Sequence, residues 1–272
     1  MTHIHAILRR IAVLALAAGA LAGCGTVITG ATDVDKTAFG EKKRFAIVTI
    51  ASMKNFSGER SIFEAFKSAD DVAGANTQPM IDKLAPRIVG ALGHSTQFTL
   101  VPESRVLSNR AYRAAEEDPK VVKVAMFSTD LNVAHGYRYF AEPQKYARLA
   151  KELGVDGVIA VQVHFGVSAG AGGIGVRGMS FGRKTYSASA TASAVAYNQK
   201  GEVVWKDTTT KEAEPGDTRA IVVIDTSGFT GADFQKMQPS AIEMGAKAIE
   251  VLLTRFDDTM AGRAVERVQS VK

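Results

Sequence analysis

The chain has 272 residues, of which 46% are hydrophobic and 22% charged, and this balance is that of a globular protein rather than a disordered one. The formal net charge of +5 is small and scattered along the chain, which argues against a nucleic-acid-binding protein. The only cysteine is Cys24, so no disulfide bond within the chain can stabilise the fold.

Residues 1–23 have the pattern of an export signal. Arg9 and Arg10 precede the apolar run IAVLALAAGALAG, which is shorter than the roughly 20 apolar residues that a membrane-spanning helix needs. A short positive region followed by such a run is typical of a signal peptide that is removed from the mature protein. We therefore leave residues 1–23 out of the prediction of the fold.

Cys24 follows this signal directly, in the stretch Leu21-Ala22-Gly23-Cys24. The stretch resembles the lipobox of bacterial lipoproteins, which implies that Cys24 is lipidated and becomes the new N-terminus. The next residue is Gly25 rather than the aspartate that retains such proteins in the inner membrane. The resemblance thus implies an outer-membrane location facing the periplasm. The alternative is an ordinary signal peptide beside an incidental cysteine.

The mature chain is predicted to consist of a tether, one domain and a tail. Residues 24–44 are polar and rich in glycine and threonine, which predicts a lipidated cysteine and a flexible tether. Residues 45–258 are predicted to form a single mixed-sheet periplasmic domain. Residues 259–272 form the C-terminal tail of this scheme.

The first half of the domain combines strand and helix patterns. Its predicted elements, in chain order, are a strand over 45–51, a helix over 79–92 that Pro86 kinks or divides, a short strand over 97–103 and a helix over 104–117. The stretch 118–142 is ambiguous, because its first part could be a strand and its second part looks like an insertion or lobe.

The second half has clearer alternation. Its predicted elements are a helix from Pro143 that Gly154 ends, a strand over 155–165, a Gly-rich loop over 166–182, a strand over 185–198, a hairpin partner over 202–210, a strand over 220–224 and a helix from about Pro239. Five alternate alanines of 185–198 share one side of their strand, and this small surface would let a helix approach closely. The order of elements predicts an α+β (mixed α/β) fold, a single mixed β-sheet with helices packed mainly on one face.

These elements also resemble a group of envelope lipoproteins. The strand FAIVTI, the stretch LAKELGVDGVIAVQVHF and a hairpin that closes on GEVVW are similar to the curli secretion-channel lipoproteins, to the lipoprotein activators of penicillin-binding proteins and to the N-terminal domain of the Tol-Pal translocation protein. The resemblance covers about residues 45–256 and implies an anticodon-binding-domain-like sheet. The stretch 118–142 and the Gly-rich loop depart from it.

The Gly-rich loop contains GIGVRG, Gly173 to Gly178, which matches the G-x-G-x-x-G fingerprint of dinucleotide-binding loops. That fingerprint must open a helix, whereas the residues after it have the alternation of a strand. We therefore predict no cofactor and interpret the loop as a hairpin connection. Its candidate contacts with a partner are Arg177, Met179 and Phe181; the alternative is a connection without a role.

The sequence contains no motif typical of an enzyme: no G-x-S-x-G, H-E-x-x-H, phosphate-binding loop or paired Cys-x-x-Cys. His94, His135 and His164 are too far apart to predict a metal site. We therefore expect no catalytic, cofactor-binding or metal residue, although carboxylates could still meet in the folded chain. Trp205 is predicted to anchor the core of the hairpin. The aromatic residues near 112 and 137–140 could form a surface patch or pack in the core.

These observations predict a lipid-anchored binding or envelope-assembly accessory protein, not an enzyme. Its expected partners are membrane lipid, through Cys24, and an unidentified envelope protein, and oligomerisation is possible. The alternative is a subunit of an oligomeric curli-type outer-membrane secretion channel, with residues 155–197 as its membrane strands. An enzyme is the third possibility.

Overall fold

The computed structural model describes residues 32–54, 76–124, 127–170, 174–176, 179–181, 184–213, 221–224, 231–263 and 265. Cys24 and Arg177 lie outside the described residues. The strands are β1 (Asp33–Val34), β2 (Arg44–Met53), β3 (Thr99–Leu100), β4 (Val121–Val124), β5 (Phe127–Val133), β6 (Gly157–Gly170), β7 (Ile174–Val176), β8 (Met179–Phe181), β9 (Lys184–Asn198), β10 (Val203–Glu212) and β11 (Ile221–Ile224). The α-helices are α1 (Gln78–Gly93), α2 (Glu103–Leu107), α3 (Arg110–Ala114), α4 (Pro143–Leu153) and α5 (Gly231–Met260).

Nine of these strands form one mixed sheet in the order β1-β10-β9-β6-β2-β5-β4, with β11 paired to β9 and β3 paired to β2. The pairs β2–β6 and β2–β3 are parallel, and the other pairs of this sheet are antiparallel. The longest pairing joins β6 and β9, from Gly157 opposite Asn198 to Gly170 opposite Thr185. This long β6–β9 ladder forms the centre of the fold.

The two longest helices, α1 and α5, cover one face of the sheet, which confirms the predicted α+β architecture with helices mainly on one face. The alanines of β9 are all buried on this side: Ala188, Ala190, Ala192, Ala194 and Ala196. Their small side chains let α5 lie close to the sheet. Gly245 of α5 has the same role, because a Cβ at this position would lie 2.8 Å from Leu84 Cδ2 and 3.3 Å from Phe165 Cε1.

The opposite face carries the three short helices α2, α3 and α4 near one end of the sheet. They bury a smaller apolar cluster that includes Ala46, Val48 and Val158 from the strands and Tyr112 and Tyr146 from the helices. The helix α4 ends where the sequence predicts, because Gly154 takes the left-handed conformation at φ 65°. The rest of this sheet face meets no helix among the described residues.

Residues 32–44 belong to the folded domain rather than to a free tether. Strand β1 pairs with β10, and a 3-10 turn follows at Lys36–Ala38. Phe39 then enters the core, where its ring stacks on Phe45 with centroids 4.9 Å apart and meets Phe256 edge-on at the same distance. The folded domain therefore extends N-terminal to the predicted start at residue 45.

Several helix boundaries differ from the predicted ones. Helix α1 runs through Pro86 without a break, because a buried stripe that includes Leu84 and Ile88 holds both halves against the sheet. The helix predicted over 104–117 is two short helices, since the Asn109 side chain caps α3 by accepting from the N–H groups of Ala111 and Tyr112.

Two further predictions near these helices change in extent. The strand predicted over 97–103 is limited to the two residues of β3. Helix α5 begins at Gly231 rather than near Pro239, and its added first turns bury Phe234 and Met237 in the core. The apolar residues before Pro239 therefore belong to α5, and Pro239 does not mark the start of this helix.

The ambiguous stretch 118–142 supplies two strands to the edge of the sheet. Strand β5 pairs antiparallel with the end of β2, and β4 pairs with β5. The aromatic residues of this region lie in the core rather than on a surface patch: Tyr112, Tyr137, Tyr139 and Phe140 are all buried. Trp205 is fully buried, as predicted, with its ring 4.7 Å from that of Phe256.

Candidate interaction surface

A hydroxyl-bearing surface lies on the sheet face opposite α5. It consists of alternate residues of β9 and β10, whose side chains are partly buried and bonded across the strands. Thr191 and Thr210 hydroxyls are 2.7 Å apart, and Ser193 and Thr208 hydroxyls are 3.0 Å apart. Along β9, alanines face the core, and the serines and threonines between them face this polar surface.

Strand β6 continues this surface with Gln162 and His164, which lie opposite Ser193 and Thr191 of β9. Burial lowers the pKa of His164 to about 4, so its imidazole is neutral at pH 7. The surface is therefore polar but uncharged along its centre. Such a surface can exchange hydrogen bonds with a polar partner.

The edge of the sheet beside this surface is where the chain enters the domain. The Thr32 hydroxyl donates to Asp207 Oδ2 at 2.9 Å, and the Asp35 N–H donates to the Val204 carbonyl at 2.9 Å. The second carboxylate oxygen of Asp207 lies 3.2 Å from Arg255 Nη2, in a pair that is almost fully buried. Thr32, Asp207 and Arg255 thus join the N-terminal segment, the edge strand and the C-terminal helix.

Burial raises the pKa of Asp207, while the hydrogen bond from Thr32 and the charge of Arg255 act in the opposite direction. Sequence analysis missed this group. One sequence signal indicates it. Asp207 and Thr209 alternate with Trp205 along β10, and Trp205 is predicted to lie in the core, so Asp207 should face the core as well.

The Gly-rich segment between β6 and β9 contains a separate two-stranded sheet. Strands β7 and β8 pair as a small hairpin, with Ile174 opposite Phe181 and Val176 opposite Met179. The backbones of Met179 and Phe181 therefore lie on one short strand, while Arg177 lies outside the described residues. The residues after the G-x-G-x-x-G match form β8 and β9, and not the helix that a dinucleotide-binding loop requires.

The Asp118 carboxylate has structural partners near α4. The carboxylate of Asp118 accepts from Lys145 Nζ and, at 2.7 Å, from the Ala141 N–H, so it pins the loop before α4. The Asp118 side chain is buried. Burial alone would raise the pKa of Asp118, yet the bonds from Lys145 and Ala141 lower it overall.

The variant Asp118→Asn is expected to lower the free energy of unfolding by about 2 kcal/mol at pH 7, the value typical of hydrogen bonds to a charged group. Because the folded-state pKa is lowered, this stability is present above the unfolded pKa and is lost as the pH falls through the folded one. Urea unfolding from pH 7 to pH 3 measures it, and the difference between wild type and variant should shrink at acid pH. The control Asp130→Asn removes an exposed pair with Lys54 and should change little; equal losses in the two variants would contradict the assignment.

Clefts of about 340 Å³ lie at two places among the described residues. One lies at the start of β2 and β6, where Lys43 is 3.1 Å from Asp156, and the other lies between α3 and α4, where Ala111 and Arg148 line it. Within the described ranges, no three histidine, cysteine or carboxylate side chains could hold a metal ion together. His94 follows the end of α1, His135 lies in the loop after β5, and His164 lies on β6.

Within the part of the chain that the structure describes, no helix combines the length and the apolar character that a membrane span needs.

Comparison with known proteins gives only distant likenesses. No family model and no curated protein matches the chain. Among solved structures it is similar to the LpoB C-terminal domain from Salmonella enterica, with 10% identity over 64% of this chain and 85% of that chain and a TM-score of 0.30. It is also similar to the PelC dodecamer from Paraburkholderia phytofirmans, with 12% identity over 84% of this chain and 96% of that chain and a TM-score of 0.24. At these TM-scores the two likenesses assign neither a family nor a function to this chain. The resemblance to the curli, activator and Tol-Pal lipoproteins stays a prediction.

Proposed function

We propose that this chain is a periplasm-facing outer-membrane lipoprotein that acts as a non-catalytic binding or assembly accessory protein in the cell envelope. The sequence support is Cys24 after an export signal. The structural support, which carries the proposal, is the docking of Thr32 on the sheet edge only eight residues after Cys24. Because an extended residue spans at most about 3.5 Å, the lipid holds the domain within about 28 Å of the membrane.

The protein partner is expected to bind the hydroxyl-bearing surface or the β7–β8 hairpin. The surface offers cross-strand hydroxyl pairs such as Thr191–Thr210, and the hairpin carries the candidate contacts Arg177, Met179 and Phe181. The hairpin lies between β6 and β9 in the chain, and β9 also contributes to the surface, so a partner could contact both. A photocrosslinking amino acid at Met179, compared with one at Lys83 on α1, tests this in living cells. A crosslinked envelope protein at Met179 alone supports the proposal, and equal or absent products at both positions oppose it.

The channel alternative needs the central strands to face lipid. In the described domain the apolar sides of β6 and β9, including Val163 and Ala192, are buried against the helices. The mass of the detergent-extracted particle separates the two functions, because a channel requires a closed ring of many subunits. A monomer or dimer supports the accessory protein.

A further inference from the structure

The cleft between α3 and α4 has an apolar floor and one low wall. Phe140 and Leu149 line it and are buried, so they form the floor. The wall on the α3 side consists of Ala111, Ala114 and Ala115, which are partly or fully exposed. Because the distance between packed helices depends on the side chains at their contact, these alanines allow another helix to approach closely.

The wall on the α4 side carries charges of both signs. Arg148 and Glu152 line the cleft, are exposed, and lie four residues apart, about one helical turn. Lys145 lines the same wall, but the carboxylate of Asp118 already compensates its charge. The charges that this wall presents outward are therefore one cation and one anion, a turn apart.

This pair of charges is complementary to itself. A two-fold axis perpendicular to α4 places the α4 helix of a second copy alongside in the antiparallel direction. Arg148 of one copy then lies beside Glu152 of the other, and the same axis repeats the contact with the roles exchanged. A partner surface of a single sign would instead repel one of the two residues.

We propose that two copies of this chain pair through this cleft, with α4 of each copy lying against the α3 wall of the other. Helix α4 is both the ridge that enters the cleft and one of its walls, so one surface serves both copies, as a two-fold contact requires. Helices α3 and α4 have only 5 and 11 residues. The contact is therefore small and belongs to the weak, transient class of interfaces.

The pairing goes beyond the proposed accessory function and does not depend on the lipid anchor. The short helices and the hydroxyl-bearing surface lie on the same face of the sheet. A pair of copies therefore presents two such surfaces to one partner. A partner that contacts both is bound more tightly than either surface alone would bind it.

Photocrosslinking in cells that express two differently tagged full-length copies tests the pairing. A photocrosslinking amino acid is placed at Ala114 on the α3 wall and, as a control, at Lys83 on α1, on the other side of the sheet. We expect a product that carries both tags from position 114 and none from position 83. No such product at 114, equal products at both positions, or a crosslink from 114 to a different protein instead would overturn the proposal.

Charge reversal in the protein with the crosslinker at position 114 then tests the contact itself. Arg148→Glu or Glu152→Arg places like charges side by side twice in each pair of copies, so we expect about tenfold less product or lower. The double variant Arg148→Glu with Glu152→Arg restores opposite charges and should recover most of the product. Lys83→Glu makes the same kind of reversal on α1 and should leave the product unchanged.

The unfolding temperature of each purified variant separates a lost contact from a lost fold. Positions 83, 148 and 152 are all exposed, so these temperatures should equal that of the wild type. A product that survives both single reversals, or one that stays equally low in the double variant, would rule out the pairing.

Discussion

The variant Gly157→Ala is expected to lower the free energy of unfolding by about 3 kcal/mol, the upper end of the usual cost of overpacking. Gly157 begins β6 and lies between Phe45 of β2 and Asn198 of β9. A Cβ at this position would lie 2.5 Å from Phe45 Cε1 and 2.7 Å from the Tyr197 backbone oxygen. Strand pairing holds the Tyr197 oxygen in place, and stacking on Phe39 holds the Phe45 ring, so neither contact relaxes without loss of packing or pairing.

Urea unfolding followed by fluorescence of Trp205 measures this loss. Gly90→Ala is the matched control, because Gly90 lies within α1 and a Cβ there meets no atom within 4 Å. The higher helix propensity of alanine should stabilise that variant by up to about 1 kcal/mol. A Gly157→Ala protein as stable as wild type would contradict the close β2–β6–β9 packing at this position.

The second large effect is expected at the buried ion pair. Arg255→Met leaves the Asp207 carboxylate buried without its cation, and such a change costs about 3–5 kcal/mol. The double variant Arg255→Met with Asp207→Asn removes the charge as well and should recover part of this loss. Arg87→Met is the control with the same substitution in an exposed pair with Glu243, and it should cost less than about 1 kcal/mol.

This loss is expected to depend on pH with a definite sign. Burial raises the pKa of Asp207, and removal of Arg255 raises it further, because the cation was opposing the effect of burial. A raised folded-state pKa means that stability is greatest below the unfolded value, near 3.8, and decreases as the pH rises through the folded value. The deficit of Arg255→Met should therefore be largest at neutral pH and smallest near pH 4. A deficit that is constant across this range would contradict the burial of an uncompensated carboxylate.

Local patterns predicted the central elements well. The alternation of β9, the turn before β10, the end of α4 at Gly154 and the buried Trp205 follow from side-chain periodicity and from the left-handed conformation that glycine takes easily. These features depend on neighbours within a few residues. For this reason the order of elements also predicted the α+β architecture.

Features that depend on distant partners were not predictable in the same way. The polar composition of 32–44 indicated a tether, but pairing with β10 and insertion of Phe39 overrode that composition. Asp207 is buried because Arg255 approaches from a helix about 50 residues further along the chain, and no spacing rule connects the two.

The central claim is that Cys24 anchors this domain to lipid so that it can act near the membrane. The most direct measurement is incorporation of a clickable fatty acid in cells that express the wild type, Cys24→Ser or Ser52→Cys with Cys24→Ser, followed by separation of inner and outer membranes. We predict label on the wild type alone, in the outer-membrane fraction. Cys24→Ser should be unlabelled, and so should the double variant, in which the only cysteine is at position 52 and does not follow the export signal. Label that persists in Cys24→Ser, or a wild type without label, would contradict the claim.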